Sequence, residues 1–210
     1  LGDCYDFGYG VETDHIKASQ LYRAAHEGGY PPGTCSLGLC YELGQAVEKD
    51  LDKALELYHQ AADAGDARAQ CNLGYCYYRG IGVKEDNDQA VYWFEKAAEQ
   101  GNSRALFLLG QCYDGGFGVE PDPVKAAQLY VQADEKGHPA GSCALGVCYE
   151  LGRGVEMDKA RAIELYRKSA EGGEARGMCN LGFCYYQGVG VEHDDKQAVH
   201  WFQLAAEQDY

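Results

Sequence analysis

Positive charge is what this sequence has least of. Lys and Arg total 18 against 33 Asp and Glu, a formal charge of −15, which phosphate backbones and anionic membrane surfaces would repel. Nucleic acid and acidic lipid are therefore poor candidate partners. Long apolar runs are missing as well: a membrane-spanning helix needs about 20 consecutive apolar residues, and the longest clusters here are short pieces such as Ala105 to Leu109. No membrane insertion is expected. The first residue is Leu1, and any targeting segment would lie outside these 210 residues. Histidines are few and scattered, at positions 15, 26, 59, 138, 193 and 200, without the His-Glu-x-x-His or paired spacing of a metal site. No Cys or Ser stands beside an oriented base, so a nucleophilic site cannot be assembled. The expectation is a protein without cofactor, metal or catalytic centre.

Apolar residues make up 46% of the chain, enough for a substantial core. They are arranged with a strict period. Leu-Gly recurs at Leu1-Gly2, Leu37-Gly38, Leu73-Gly74, Leu109-Gly110, Leu145-Gly146 and Leu181-Gly182, always 36 residues apart. The columns beginning at Tyr5, Val11, Asp14 and Ala18 keep the same register through all six copies. Such self-similarity is the mark of a repeat architecture, and it decides the fold.

Within one unit Leu73, Cys76, Tyr77 and Gly80 are spaced i, i+3, i+4 and i+7, and Ala90, Trp93, Phe94 and Ala97 repeat that spacing. Each unit thus reads as helix A, loop, helix B. Gly80 and Gly82 suit the positive φ needed to end helix A and turn the chain, with Ala46 standing for the second glycine in one loop. Asp86 falls where a short acceptor can cap helix B. Pro31, Pro32 and Pro139 suit the start of helix A. The glycine inside helix A costs about 1 kcal/mol relative to Ala in an exposed helix, so a packing reason is expected, with Tyr and Trp side chains locking between closely approaching helices. Gly-x-Gly runs follow no strand, which removes the dinucleotide reading.

The fold class is therefore all-α, a right-handed α/α superhelix of six helix-turn-helix repeats, the first truncated. The repeats run approximately over 1–29, 30–65, 66–101, 102–137, 138–173 and 174–210. A block of three is itself duplicated at 108 residues, as Cys71-Asn-Leu-Gly-Tyr-Cys-Tyr77 against Cys179-Asn-Leu-Gly-Phe-Cys-Tyr185 shows. The run Ala67 to Val83, followed by Asp86, Ala90, Trp93 and Ala97-Ala98, resembles the Sel-one-like repeat, a relative of the tetratricopeptide repeat. That resemblance implies a protein-interaction scaffold or adaptor. Neither end reads as a polar capping repeat, and a longer parent array is expected.

Ten cysteines fall in two columns, one from Cys4 to Cys184 and one holding Cys35, Cys71, Cys143 and Cys179 with Phe107 in the gap. A pair at i, i+5 lies roughly 140° apart around a helix. Same-column residues on packed helices are about 8–10 Å apart, beyond the ~7 Å limit for a disulfide. Small buried hydrophobes are the favoured reading, with disulfide and metal readings left open. Within the resembled family a cysteine-rich bacterial subgroup is secreted, disulfide-bridged and associated with penicillin binding. Its bridge positions are held here by Ala62 and Gln70 or Ala98 and Leu106. This departure favours a reducing, cytoplasmic setting, while a secreted cysteine-rich protein with hydrolase or penicillin-binding activity is the alternative function.

In a solenoid of this kind the A helices line the concave face. Two variable columns lie opposite the Leu/Tyr seam. One holds Asp3, Leu39, Tyr75, Gln111, Val147 and Phe183, the other Asp6, Glu42, Tyr78, Asp114, Glu150 and Tyr186, with Phe107 in a column forming the floor between them. Apolar and aromatic groups beside carboxylates suit a peptide or helix of another protein that carries apolar anchors and basic residues. The competing reading packs the same side chains between neighbouring A helices.

Overall fold

The computed structural model describes residues 1–208. Among them are twelve α-helices and no strand: α1 (Gly2–Phe7), α2 (His15–Glu27), α3 (Pro31–Leu43), α4 (Leu51–Asp63), α5 (Ala67–Arg79), α6 (Asn87–Glu99), α7 (Ser103–Gly115), α8 (Pro123–Glu135), α9 (Pro139–Leu151), α10 (Lys159–Glu171), α11 (Ala175–Gln187) and α12 (Asp195–Ala206). Odd-numbered helices are the A helices and even-numbered ones the B helices. The chain divides into two compact units, Leu1–Gln100 and Gly101 onward.

The same backbone devices build every hairpin. Helix A ends on a glycine at C′, from Gly8 to Gly188, with φ between 64° and 73°, a left-handed conformation that a Cβ would strain. Seven residues, from that glycine to the cap itself, then bring an Asp to the N-cap of helix B. Its carboxylate accepts from an amide of the first turn in all six repeats. Its own N–H donates back to the carbonyl of the helix A tyrosine, as Asp50 does to Tyr41 at 3.0 Å and Asp158 to Tyr149 at 2.9 Å. The hairpin is thus closed at both ends of one residue. Ala46 takes the second loop position at φ 60°, the one non-glycine with positive φ among the described residues, at a cost that glycine avoids.

Inside each hairpin the helix A glycine lies under an aromatic ring from helix B. A Cβ built on Gly38 would come within 2.9 Å of the Tyr58 ring, and Gly2, Gly74, Gly110, Gly146 and Gly182 face Tyr22, Phe94, Tyr130, Tyr166 and Phe202 just as closely. The packing reason expected for this glycine is present, with one change: the ring is always that of a single helix B column, whereas Trp occurs only as Trp93 and Trp201 one residue earlier, where the other repeats have Leu.

Successive repeats within a unit are joined by the helix A tyrosine column. Tyr41 receives Arg23 of the preceding B helix at 3.4 Å, and Tyr185 receives Arg167 at 3.2 Å. A cation of the same repeat covers the ring: Lys17 over Tyr5 at 4.1 Å, Lys125 over Tyr113 at 4.0 Å, Arg161 over Tyr149 at 5.0 Å. Successive A helices approach one another, α3 with α5, α7 with α9 and α9 with α11, while the B helices stand further apart. The A helices therefore form the inner layer of each unit.

Candidate partner-binding face

The inner layer is where the two variable columns lie, and the structure treats them differently. Leu39, Gln111 and Val147 are half-buried along α3, α7 and α9. Tyr75 is half-buried on α5, and its counterpart Phe183 is 49% exposed on α11. Of the five, only Phe183 is largely open to solvent.

The second column is mostly engaged. Tyr58 donates its hydroxyl to Glu42 Oε2 at 2.6 Å, and Tyr166 donates to Glu150 Oε2 at 2.5 Å. Tyr22 donates to Asp3 Oδ1 at 2.7 Å and Asp6 Oδ2 at 3.4 Å. Burial first, and the adjacent carboxylate second, push all three tyrosines well above the usual phenol range. Asp114 accepts from Arg153 of the following repeat at 2.6 Å, just as Asp6 accepts from Gln45 at 3.3 Å. Glu42 and Glu150 thus serve donors of their own hairpin, and Asp114 a donor of the following repeat.

Where the helix B ring is Phe94 or Phe202, the second column holds Tyr78 or Tyr186 instead of a carboxylate. Tyr78 stands edge-on to Phe94 with centroids 6.4 Å apart, Phe183 stands edge-on to Phe202 at 5.1 Å, and Tyr186 is 56% exposed. The pairing rule is consistent across the chain. A hydroxyl on helix B goes with an acid on helix A, and its loss goes with an aromatic there. Sequence periodicity gave the column but not this pairing; the signal that could have found it is the joint change of Tyr to Phe and of acid to Tyr in the third and sixth copies.

The column meant to form the floor is not a surface at most of its positions. Cys35, Cys71 and Cys143 are fully buried. Phe107 is half-buried, stacked on His138 with centroids 5.1 Å apart and set against Tyr130 at 6.1 Å. It therefore packs onto the start of α9, whose N-cap is His138, Nδ1 accepting from Gly141 N–H at 3.2 Å. All ten cysteines are free thiols, with Cys4 and Cys179 half-buried and the rest buried. Burial pushes Cys35 up to about 12, and Cys40, Cys112, Cys143, Cys148 and Cys184 up to about 11. At neutral pH these are protonated hydrophobes rather than thiolates that attack or bind metal. Among the described residues no group of three or more His, Cys, Asp or Glu is placed to hold a metal ion, and no helix is long and apolar enough to cross a membrane.

These features define an all-α helical-repeat protein built of hairpins whose A helices form the inner layer of each unit. The Sel1 repeat pattern is matched six times in succession, at residues 1–30, 31–66, 67–102, 103–138, 139–174 and 175–210. The chain belongs to the Sel1 repeat family, and its fold is the helical-repeat solenoid of that family. It is similar to the crystal structure of a Sel1 repeat protein from Oxalobacter formigenes, with 36% identity and a TM-score of 0.87 over 97% of this chain and 82% of that one. It is also similar to a protective antigen of uropathogenic Escherichia coli strains that displays an SLR fold, with 39% identity and a TM-score of 0.81. There it covers 100% of this chain and 45% of the antigen. An immunity protein from Pseudomonas aeruginosa shares the fold at 24% identity and a TM-score of 0.68 over 99% of this chain and 82% of that one. Among curated proteins none matches the chain. Sel1 repeat proteins typically act as protein-interaction scaffolds.

Proposed function

We propose that this protein is a non-catalytic interaction scaffold that binds a peptide or helix of a partner protein on the inner layer formed by its A helices. The observation that carries this reading is the placement of Leu39, Tyr75, Tyr78, Val147, Phe183 and Tyr186, apolar or aromatic side chains half-exposed or exposed on the layer where successive helices come together. Large rigid side chains at that position supply contact area at little entropic cost. The partner is read as one with apolar anchors. The expectation of basic residues in it rested on Glu42, Asp114 and Glu150, and their hydrogen bonds to Tyr58, Arg153 and Tyr166 take most of its support away.

The test is capture from native lysate with the chain and with a variant carrying Ser at those six positions. A partner held by the first and lost by the second, both remaining helical, supports the inner-layer site. Equal capture by both places binding on the B helices or loops and contradicts the proposal.

A further inference from the structure

Within each unit one A helix differs in charge from the others. Helices α1, α3, α7 and α9 each carry at least one carboxylate, whereas α5 (ARAQCNLGYCYYR) and α11 (ARGMCNLGFCYYQ) carry none and hold Arg68, Arg79 and Arg176. In a chain of 33 acidic and 18 basic residues, these two segments are set apart, and they are the same two that carry aromatic residues in both variable columns. We propose that the third and sixth repeats each present one copy of a single recognition stripe, and that its ligand is a short extended peptide pairing an apolar or aromatic side chain with a carboxylate. This proposal rests on the inner-layer reading above and specifies the partner's chemistry.

The stripe is Arg68, Asn72, Tyr75 and Tyr78 on α5, and Arg176, Asn180, Phe183 and Tyr186 on α11. Spacings of four, seven and ten residues keep these side chains on one side of a helix, over a length of roughly 15 Å. Arg68 and Arg176 are exposed and occupy the second position of their helices, where the positive end of the helix dipole disfavours a cation. The N-cap residues beside them are Asp66, whose carboxylate already accepts from Ala69 N–H at 2.8 Å, and Glu174, so the exposed guanidinium itself, rather than the helix end, is the group offered to a ligand carboxylate. Arg68 Nη2 also donates to Ser36 Oγ at 3.2 Å, at the rim of a 290 Å³ groove lined by Asp3, Tyr22, Tyr30, Pro32 and Ser36 among others. The carboxylate in that groove, Asp3, is bound by Tyr22. Each Asn is held by its Nδ2 against a buried thiol, Asn72 on Cys35 at 3.7 Å and Asn180 on Cys143 at 3.5 Å. This fixes a side-chain amide between the guanidinium and the aromatic pair, where it can bond a peptide backbone. Arg and Tyr or Phe lie about 10 Å apart along the helix, which an extended peptide covers in about three residues.

A random 12-residue peptide library with free carboxyl termini, selected on the whole chain, provides the probe, and the enriched peptides are then titrated calorimetrically. The expected result is enrichment of Phe, Tyr, Trp or Leu about three residues from Asp, Glu or the terminus, with two peptides bound per chain. Arg176→Ala reduces that number to one, and Arg68→Ala with Arg176→Ala weakens binding about tenfold or more at both sites, with helicity unchanged. Enrichment of Lys and Arg, a single site per chain, or indifference to the Arg variants overturns the proposal. If the enriched peptides survive Ser at Tyr75, Tyr78, Phe183 and Tyr186, the inner-layer reading fails as well. If they are lost there but survive the Arg variants, only the charge assignment falls. No enrichment at all overturns both.

Discussion

Repeats two and five differ from repeats three and six by an exchange between two helices. In the former, Tyr58 and Tyr166 hold Glu42 and Glu150; in the latter, Phe94 and Phe202 stand beside Tyr78 and Tyr186. Each solution seats a ring on the helix A glycine. The difference lies in what the repeat shows outward: a carboxylate held by its own hairpin, or an aromatic side chain at the surface. A repeat protein can therefore hold its internal packing constant and vary its face by changing one pair of residues.

The comparison is most severely tested by removing the ring altogether. Tyr166→Ala should destabilise the chain by about 3–5 kcal/mol, read as a fall in the midpoint of chemical denaturation, whereas Phe183→Ser on the half-exposed inner layer should cost less than half as much. Similar costs at both would mean that the ring over Gly146 is no more structural than the face. Removing the hydroxyl alone, as in Tyr58→Phe, should cost about 1–2 kcal/mol, because Glu42 loses a charge-assisted hydrogen bond in a half-buried place. The corresponding loss is absent in the third and sixth repeats, which already carry Phe.

The second unit also differs from the first in having His138 as the cap of its middle A helix, where Tyr30 makes no side-chain cap. Burial, and then Arg104, hold His138 below the usual imidazole range. As pH falls below about 6.5 the unfolded chain takes up a proton before the folded one does. Stability is therefore fully present above that pH and declines as pH falls through the folded-state value. The cap is lost with protonation, an effect of about 1 kcal/mol or less, and His138→Asn, which caps at any pH, should flatten this limb in denaturation series between pH 7 and 5. The smallest effect belongs to the cation over the helix A tyrosine. Lys125→Gln, which copies Gln89 and Gln197 of the third and sixth repeats, should cost about 0.5–1 kcal/mol in thermal denaturation.

The architecture was legible in the sequence wherever a backbone requirement recurs. Asp14 and its equivalents, the C′ glycines and Pro31 or Pro139 each answer a local demand of φ or of an unpaired amide, so their spacing alone located the hairpins. The helix A glycine announced a close approach, and the ring above it is the Tyr22 to Phe202 column. The candidate face was legible only by position. A helical wheel places Glu42 and Glu150 beside Leu39 and Val147, but it cannot show that Tyr58 or Tyr166, sixteen residues on, reaches back from another helix to take the carboxylate. Phe107 was hidden for a similar reason, since its stacking partner His138 belongs to the next repeat. Tyr78 and Phe183 were legible as surface candidates, but not their edge-on contacts with Phe94 and Phe202 of helix B.

The exchange itself can be copied. In a double-mutant cycle on the second unit, Tyr166→Phe and Glu150→Tyr are made singly and together, and stability is read from denaturant unfolding. The single changes should each destabilise, and the double variant, which reproduces the Tyr186 and Phe202 arrangement, should recover most of the loss, with a coupling of about 1 kcal/mol or more. Strictly additive losses would contradict the account, because the two positions would then be independent and the inner face would not be set by what helix B demands.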